Sequence, residues 1–282
     1  MALTTFFFAV AATSVAAGTV GAILGLGGGI LLVPVLALYF GVDLRYAMGA
    51  SIVSVIATSS GAAAAYLRTG LSNVRIGFFL VVATISGAIT GALLAGVVPT
   101  RWLMLVLGLA LAYSAFATIQ QINVEVHADV PFDWLARRFG LEGTYYDRAL
   151  GRQIPYRATH VARGFAAMFG AGILSGLLGI GSGAFKVLAM DHFMRVPMKV
   201  STATSNFMIG ITAAASAGIY FARGDIHPLI AAPVAVGVLL GAYLGTVVMA
   251  TLRNTTVRKV FLPILIYLAA SMLLRGLGLH VL

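Results

Sequence analysis

Lys186 is the only lysine or arginine of this chain that lies outside the short loops between apolar segments. It is nine residues from Arg195, which is about 13 Å along a helix and places it near the middle of a membrane about 30 Å thick. A cation at that depth is unfavourable unless an anion offsets its charge, and no acid stands three or four residues later, where the chain has Ala189 and Met190. We interpret Lys186 as an anion-binding residue. The alternative is a lysine whose amine extends to the headgroups or to an aqueous vestibule.

A cluster of hydroxyls and one amide follows in the stretch STATSNFMIG, which begins at Ser201. Such groups bind oxyanion oxygens without adding charge, which suits a site that must also release its ligand. Helix capping and interhelical hydrogen bonding are the alternative, which we favour for Ser201 and Thr202. We predict that Asn206 and Ser205 contribute to an anion site, together with Ser51 from the first half of the chain.

Two glycine-rich stretches interrupt the apolar sequence, LGLGGGILLVP at residues 24–34 and LGIGSGAFKVL at residues 178–188. Glycine costs about 1 kcal/mol relative to alanine inside a helix, so both stretches predict a break. Irregular backbone at membrane depth persists only where it is buried in protein or lines a wet cavity, and the helix that follows a break offers N–H groups suited to an anion. Close packing of helices at small residues is the alternative. The predicted substrate-binding residues of the two breaks are Gly25, Gly27, Gly28, Gly29, Gly179, Gly181, Ser182 and Gly183.

The composition is typical of an integral membrane protein. Hydrophobic residues make up 60% of the chain and charged residues 9%, with a mean hydropathy of +1.01, which is more apolar surface than a soluble core can bury. About eight charge-free segments approach or exceed the length that a transmembrane helix needs, so we predict an all-α integral membrane fold. They are residues 1–42, 46–67, 76–100, 102–124, 164–185, 200–222, 228–252 and 260–274.

Several classes of function are disfavoured by the same sequence. There is no cysteine, which excludes disulfides, thiolate metal sites and cysteine nucleophiles. The five histidines show no metal-ligand spacing, and the apolar segments hold no acid, base and nucleophile set for catalysis. The net charge of +10 comes from loops between apolar segments, which fits membrane orientation better than nucleic-acid binding. We therefore expect no enzyme activity, no cofactor, no metal and no nucleic-acid partner.

The two halves of the chain repeat each other at an offset of 154 positions, without a gap. Gly27 and Gly29 align with Gly181 and Gly183, and most shared residues are glycines, which mark backbone geometry. We predict a first membrane repeat at residues 1–122, a cytoplasmic connector at 123–163 and a second membrane repeat at 164–282. Within the connector, PFDWLARRFG predicts an amphipathic helix on the membrane surface, with a regulatory docking element as the alternative.

The basic residues of the loops favour inverted repeats. If the first segment of each repeat enters, breaks and returns, the loop charges divide as 13 on one side against 4 on the other, the four being Arg45, Arg101, Arg223 and Arg275. If it crosses completely, the copies are parallel and the charges divide as 7 against 10. This division is too even to orient the protein in the membrane. We predict re-entrant first segments, with the connector in the cytoplasm and both termini outside.

The paired glycine stretches and ATSNFMIG resemble the TauE/SafE sulfite exporter family of membrane permeases. This resemblance covers both repeats and implies a secondary transporter in the cytoplasmic membrane, surrounded by lipid and moving sulfite or organosulfonates. The second stretch departs from the first at two positions, with Ser182 for Gly28 and Leu188 for Pro34. An anion channel, or a transporter of another small anion, is the alternative. Proton coupling, the direction of transport and the oligomeric state are left open by the sequence.

Overall fold

A computed structural model of the protein describes residues 3–24, 27–68, 70–120, 133–147, 152–249 and 254–279. Gly25, one of the predicted site residues, lies outside the described residues, as does most of the connector before residue 133.

The described part of the first repeat contains five helices, and all are built from long apolar sequence. They are α1 (Leu3–Leu24), α2 (Gly29–Tyr39), α3 (Leu44–Arg68), α4 (Val74–Val97) and α5 (Thr100–Gln120). The second repeat begins with α7 and has the same order of elements. They are α7 (Val161–Leu178), α8 (Gly183–Leu188) with a π-helical turn at Ala189–Phe193, α9 (Met198–Ala222), α10 (Pro228–Met249) and α11 (Asn254–Gly276).

The helix bounds of the two repeats differ by the offset seen in the sequence. Helix α3 corresponds to α9 at both ends, and α2 corresponds to α8 together with its π-helical turn. The glycine stretches therefore end one helix and begin another in both halves. The helices that follow the breaks, α2 and α8, begin at aligned positions.

Six helices of the described part of the chain are long and apolar enough to cross a membrane. They are Thr4–Ala22, Leu44–Arg68, Val74–Val97, Val161–Leu178, Lys199–Ala222 and Pro228–Gly245. Shorter apolar helices lie at Gly29–Tyr39, Thr100–Phe116 and Ile266–Gly276. The predicted all-α, multi-pass membrane protein is confirmed.

Each glycine break turns the chain back towards the side from which it came. In the first repeat, the ring of Phe40 after α2 packs edge to face against Phe6 near the start of α1, with the ring centroids 5.8 Å apart. In the second repeat, the backbone N–H of Thr159 before α7 donates to the carbonyl of Met194 after the π-helical turn, at 3.0 Å. Helices α1 and α2 thus form one hairpin, and α7 and α8 form another.

Counterpart helices of the two repeats run in opposite directions. Helices α3 and α9 are antiparallel, because Ser59 meets Gly210 while Gly49 meets Asp225 beyond the end of α9. Helices α5 and α11 are also antiparallel, because Arg101 near the start of α5 donates to the carbonyl of Gly276 at the end of α11.

The directions of the remaining helices follow from their contacts with neighbouring helices. Helix α10 is parallel to α3. Helix α4 is parallel to α9, and the hydroxyls of Thr84 on α4 and Thr212 on α9 form a hydrogen bond of 3.0 Å. Helix α1 in turn runs parallel to α10, and α7 runs parallel to α4. Small residues let these pairs approach closely: a Cβ at Gly91 would lie against the Ile173 carbonyl, and one at Gly241 against the Val15 carbonyl.

The connector contains a β-hairpin that is not predicted from the sequence. A short helix, α6 (Trp134–Arg138), stands where an amphipathic helix is predicted, and it is followed by an antiparallel hairpin of β1 (Glu142–Asp147) and β2 (Arg152–Arg157). Tyr145 and Ile154 are paired in this hairpin, and both are buried against the membrane helices. The hairpin therefore belongs to the packed body of the protein.

Candidate functional site

The two glycine breaks meet at the centre of the molecule, between α3 and α9. A Cβ at Gly29 would lie 3.3 Å from the Cα of Ile180, so the backbone of one break approaches that of the other. Val55 on α3 contacts both breaks, since a Cβ at Gly181 would lie 2.8 Å from its Cγ1 and one at Gly27 would lie 3.7 Å from it. Gly27, Gly29 and Gly181 therefore lie close together.

Left-handed backbone makes these breaks possible. Gly27 has φ +80° and Gly181 has φ +73°, values that L side chains rarely adopt. Ser182 shares this conformation with φ +47°, although it carries a side chain. A non-glycine residue in this region costs about 1 to 2 kcal/mol, so the second break carries strain that the first one, with Gly28 at this position, avoids.

Two serines at equivalent positions hold the second break in place. Ser51 on α3 donates to the Gly179 carbonyl at 2.7 Å, and Ser205 on α9 donates to the Gly183 carbonyl at 3.3 Å. Both side chains are completely buried. Each hydroxyl keeps its two lone pairs, but its proton is directed to the backbone of the break.

Lys186 lies in the first turn of α8 and is completely buried. Its amine has no hydrogen-bond partner among the residues that the structure describes, and the same is true of the Ser182 hydroxyl in the break. On α9, which packs against α8, Asn206 donates from its amide to the Thr202 carbonyl at 3.2 Å, while its Oδ1 has no partner in the described chain. Buried polar groups are normally paired, so these three atoms are candidates for contacts with a ligand. The buried hydroxyls of Ser14 and Ser54 in the first repeat also have no hydrogen-bond partner in the described chain.

The counterparts of these three residues are apolar. In the first repeat, Gly28, Leu32 and Ile52 hold the positions of Ser182, Lys186 and Asn206. Leu32 and Ile52 are buried as completely as their polar counterparts. At these three aligned positions, the polar side chains thus belong to the second repeat.

The start of α9 differs from the predicted capping. The helix begins at Met198 with Pro197 as its N-cap, so Ser201 and Thr202 lie inside the helix. The Ser201 hydroxyl donates to the Val196 carbonyl at 3.1 Å. The prediction that these two residues cap the helix is wrong, because the proline already fixes the start.

Polar contacts that are not predicted from the sequence lie around the end of α9. Tyr220 is buried on α9 and donates to the Gly176 carbonyl at 2.7 Å. The guanidinium of Arg223 lies over the Tyr220 ring at 4.5 Å, pairs with Asp225 at 2.6 Å and donates to the Ala92 carbonyl. The spacing of an arginine and an aspartate in FARGDI is the sequence signal for this contact.

The connector hairpin lies near the start of α9. Asn73, which caps α4, donates from its amide to the hydroxyl of Tyr156 on β2 at 2.8 Å. Burial raises the pKa of Tyr156, and the hydrogen bond from Asn73 partly offsets this, so the phenol stays neutral at physiological pH. The backbone N–H of Asn73 also donates to Thr204 Oγ1 at 2.9 Å, which links the hairpin to α9.

The sequence profile described as Sulfite exporter TauE/SafE matches residues 10–272, which is nearly the whole chain. The chain belongs to the TauE/SafE sulfite exporter family. It is therefore a membrane transporter rather than an enzyme.

Two curated TauE/SafE-type relatives cover most of the chain. The chain is 27% identical over 269 residues to the "Probable membrane transporter protein YunE" of Bacillus subtilis (strain 168), covering 93% of this chain and 95% of the relative. It is 26% identical over 230 residues to the "Probable membrane transporter protein YdhB" of the same organism, covering 81% of this chain and 84% of the relative. No solved structure gives a significant match to the chain.

Proposed function

We propose that this TauE/SafE transporter moves small sulfur-containing oxyanions, such as sulfite or organosulfonates, across the cytoplasmic membrane. The anion would bind between the two glycine breaks, near Lys186. One observation carries this proposal: a completely buried amine without a partner in the described chain stands one turn after a helix break. Because side chains on a helix lean towards its N-terminus, a lysine at this position can reach the break.

The groups around Lys186 suit an oxyanion. The Ser182 hydroxyl can donate to an anion oxygen, and the Asn206 amide can do the same when it turns from the Thr202 carbonyl. Sulfite and sulfonates each present three oxygens around one sulfur atom, so several donors can bind one anion. Ser51 and Ser205 support the site by holding the break.

The opposite directions of counterpart helices support transport by alternating access. We propose that the two repeats are inverted in the membrane, with the connector in the cytoplasm and the site between the repeats. The Asn73–Thr204 contact joins the two repeats at one end, and the contact of Arg223 with the Ala92 carbonyl joins them at the other. Rocking of one repeat against the other would break these two contacts in turn.

A flux assay tests this function. Purified protein is reconstituted into vesicles, and uptake of sulfite, sulfate, thiosulfate, methanesulfonate and chloride is measured. We expect saturable uptake of at least one sulfur oxyanion, and a loss of at least tenfold in Lys186→Met, because the anion loses its counter-charge. Leu32→Met is the matched control, since Leu32 holds the same place in the first repeat and this change conserves volume; it should retain flux within twofold.

The same assay separates a carrier from a channel. A carrier accelerates uptake of labelled anion when unlabelled anion is present inside the vesicle, whereas a channel does not. Full flux in Lys186→Met, or no flux of any tested anion in the wild type, would overturn the proposed function.

A further inference from the structure

The Lys186 amine has nothing in its surroundings that would keep it charged when the site is empty. It is completely buried, and no hydrogen bond or ion pair reaches it from the described residues. An unpaired ammonium at this depth is strongly unfavourable, whereas a neutral amine is a small polar group. The empty site therefore favours the neutral form of Lys186.

The charged and titratable groups on the elements packed against α8 have other positions or partners. Helix α8 packs against α5, α7, α9 and its own π-helical turn. Arg101 on α5 donates to the Gly276 carbonyl, Arg163 on α7 is exposed, and Arg223 after α9 pairs with Asp225. The other such groups are Tyr113, Asp191, His192, Arg195, Lys199 and Tyr220.

None of these other groups reaches the Lys186 amine with a hydrogen bond in the described chain. Asp191, the carboxylate among them, lies five residues further along the chain in the π-helical turn. Tyr113 stacks its ring on Phe185, and the Tyr220 hydroxyl donates to Gly176. His192 and Lys199 are exposed. An anion that enters the site is thus the natural partner for a charged Lys186.

We propose that Lys186 binds a proton together with the transported anion, so that the carrier moves one proton with each anion. The neutral amine of the empty carrier takes up a proton and becomes an ammonium that pairs with the anion; on the other side of the membrane the anion and the proton leave, and the neutral amine is restored. No other bond changes. This inference rests on the proposed function and adds its coupling ion.

The proposal fixes the electrical behaviour of transport. A monovalent anion that moves with one proton carries no net charge, so the membrane potential does not drive it. A pH gradient does, and an acidic outside draws the anion inwards. A carrier with a permanently charged site would instead move a bare anion, or return with a positive charge, and its flux would depend on voltage.

The test uses wild-type protein in vesicles that contain a trapped pH dye, with the membrane potential set by potassium and valinomycin. Methanesulfonate and thiosulfate are the probes, because both stay fully ionised near neutral pH. For methanesulfonate we expect the lumen to acidify by one proton per anion, and an inside-negative potential of 100 mV to change the initial rate by less than twofold. Entry without acidification, or strongly slowed by that potential, would overturn proton coupling while leaving the transport function intact.

Thiosulfate extends the test because it carries two charges. With one proton it keeps a single net negative charge, so its acidification should again be one proton per anion, while its entry should be slowed by the inside-negative potential. Two protons per thiosulfate would contradict a single coupling residue. If neither probe nor any other anion of the panel enters, the proposed function itself fails, which is a distinct outcome.

Lys186→Arg tests the residue, because a guanidinium remains charged at every accessible pH. It should retain exchange of labelled for unlabelled methanesulfonate but lose at least tenfold in net proton-coupled uptake, since the empty carrier can no longer return neutral. Net uptake with normal acidification in Lys186→Arg would overturn the proposal. If this variant elutes as an aggregate, the wild-type stoichiometry and voltage measurements decide the question alone.

Discussion

At the scale of single residues, the two breaks differ in one ionisable side chain, because Lys186 follows the second break and Leu32 follows the first. A second lysine at Leu32 would add another unpaired cation to the protein interior, which is strongly unfavourable. One amine at Lys186 can instead match one small anion. The paired scaffold therefore supplies two similar breaks, and the side chains of the second repeat make them unequal.

The strained backbone at Ser182 gives a prediction that separates its hydroxyl from its conformation. Ser182→Gly should stabilise the protein by about 1 kcal/mol, because glycine adopts the left-handed backbone without a Cβ clash, whereas Ser182→Ala keeps the strain. Both variants lose the hydroxyl, so both should raise the KM for the anion by about three- to tenfold. Thermal unfolding in detergent and vesicle flux measure the two effects. A KM shift in only one variant would contradict a role for the hydroxyl.

Asn206 gives a second prediction at this scale. Asn206→Leu should weaken anion binding by about tenfold, which corresponds to one lost hydrogen bond of about 1.4 kcal/mol. Ser216→Ala on the same helix is the matched control, because the Ser216 hydroxyl is buried but already bonded to carbonyls of α9. It should change the KM by less than twofold. Equal effects of the two substitutions would point to the stability of α9 instead of to binding.

At the scale of elements, the glycine pattern predicts some features well and others poorly. Both breaks can be predicted, because clustered glycines such as Gly27 and Gly181 disrupt any apolar helix and recur at a fixed offset. The π-helical turn at Ala189–Phe193 cannot, because its residues are as compatible with an ordinary helix. The packing of the two breaks against Val55 depends on tertiary contacts that no local pattern encodes.

The connector strands illustrate a different limit. Tyr145, Tyr146 and Ile154 are residue types typical of strands, and Gly143 precedes the aromatic pair, so a signal is present in the sequence. It is short and interrupted by Pro155, and it stands beside helical segments whose hydrophobicity is far stronger. The connector hairpin is stabilised by burial of Tyr145 against the membrane helices, which is visible only in the folded chain.

Helix α7 offers a matched pair of glycines that tests the packing between the repeats. A Cβ at Gly176 would run into the Ala88 carbonyl of α4, whereas one at Gly170 meets nothing within 4 Å. Gly176→Ala should therefore destabilise the protein by about 1 to 3 kcal/mol through overpacking, and Gly170→Ala should stabilise it by up to about 1 kcal/mol through helix propensity. Thermal unfolding in detergent measures both. Equal shifts would contradict the close approach of α4 and α7.

At the scale of the whole molecule, the arginines opposite the connector donate hydrogen bonds to carbonyls at or near the C-terminal ends of helices. Arg45 donates to the Gly96 carbonyl, Arg101 to Gly276 and Arg275 to Ala37, each in the last turn of a helix, while Arg223 donates to the Ala92 carbonyl about one turn earlier in α4. Cations at the C-terminal ends of helices are favourable because the last carbonyls there lack intrahelical partners. These are the four arginines that the inverted arrangement assigns to the outside. Their hydrogen bonds explain why these arginines lie on that side. They therefore do not argue against an orientation in which the connector side carries the excess of basic residues.

Orientation in the membrane can be tested directly, because the chain contains no cysteine. Asp43 lies in the exposed loop after α2, and Tyr146 is 57% exposed on the connector hairpin. In intact cells, a membrane-impermeant maleimide should label Asp43→Cys, while Tyr146→Cys should react only after the cells are permeabilised. The counterpart helices run in opposite directions, so these two sites belong to opposite ends of the molecule. Labelling of Tyr146→Cys alone in intact cells would reverse the predicted orientation but keep the inverted repeats. Labelling of both positions in intact cells would contradict the inverted arrangement itself, because it would place the end of the first re-entrant hairpin and the connector on the same side of the membrane.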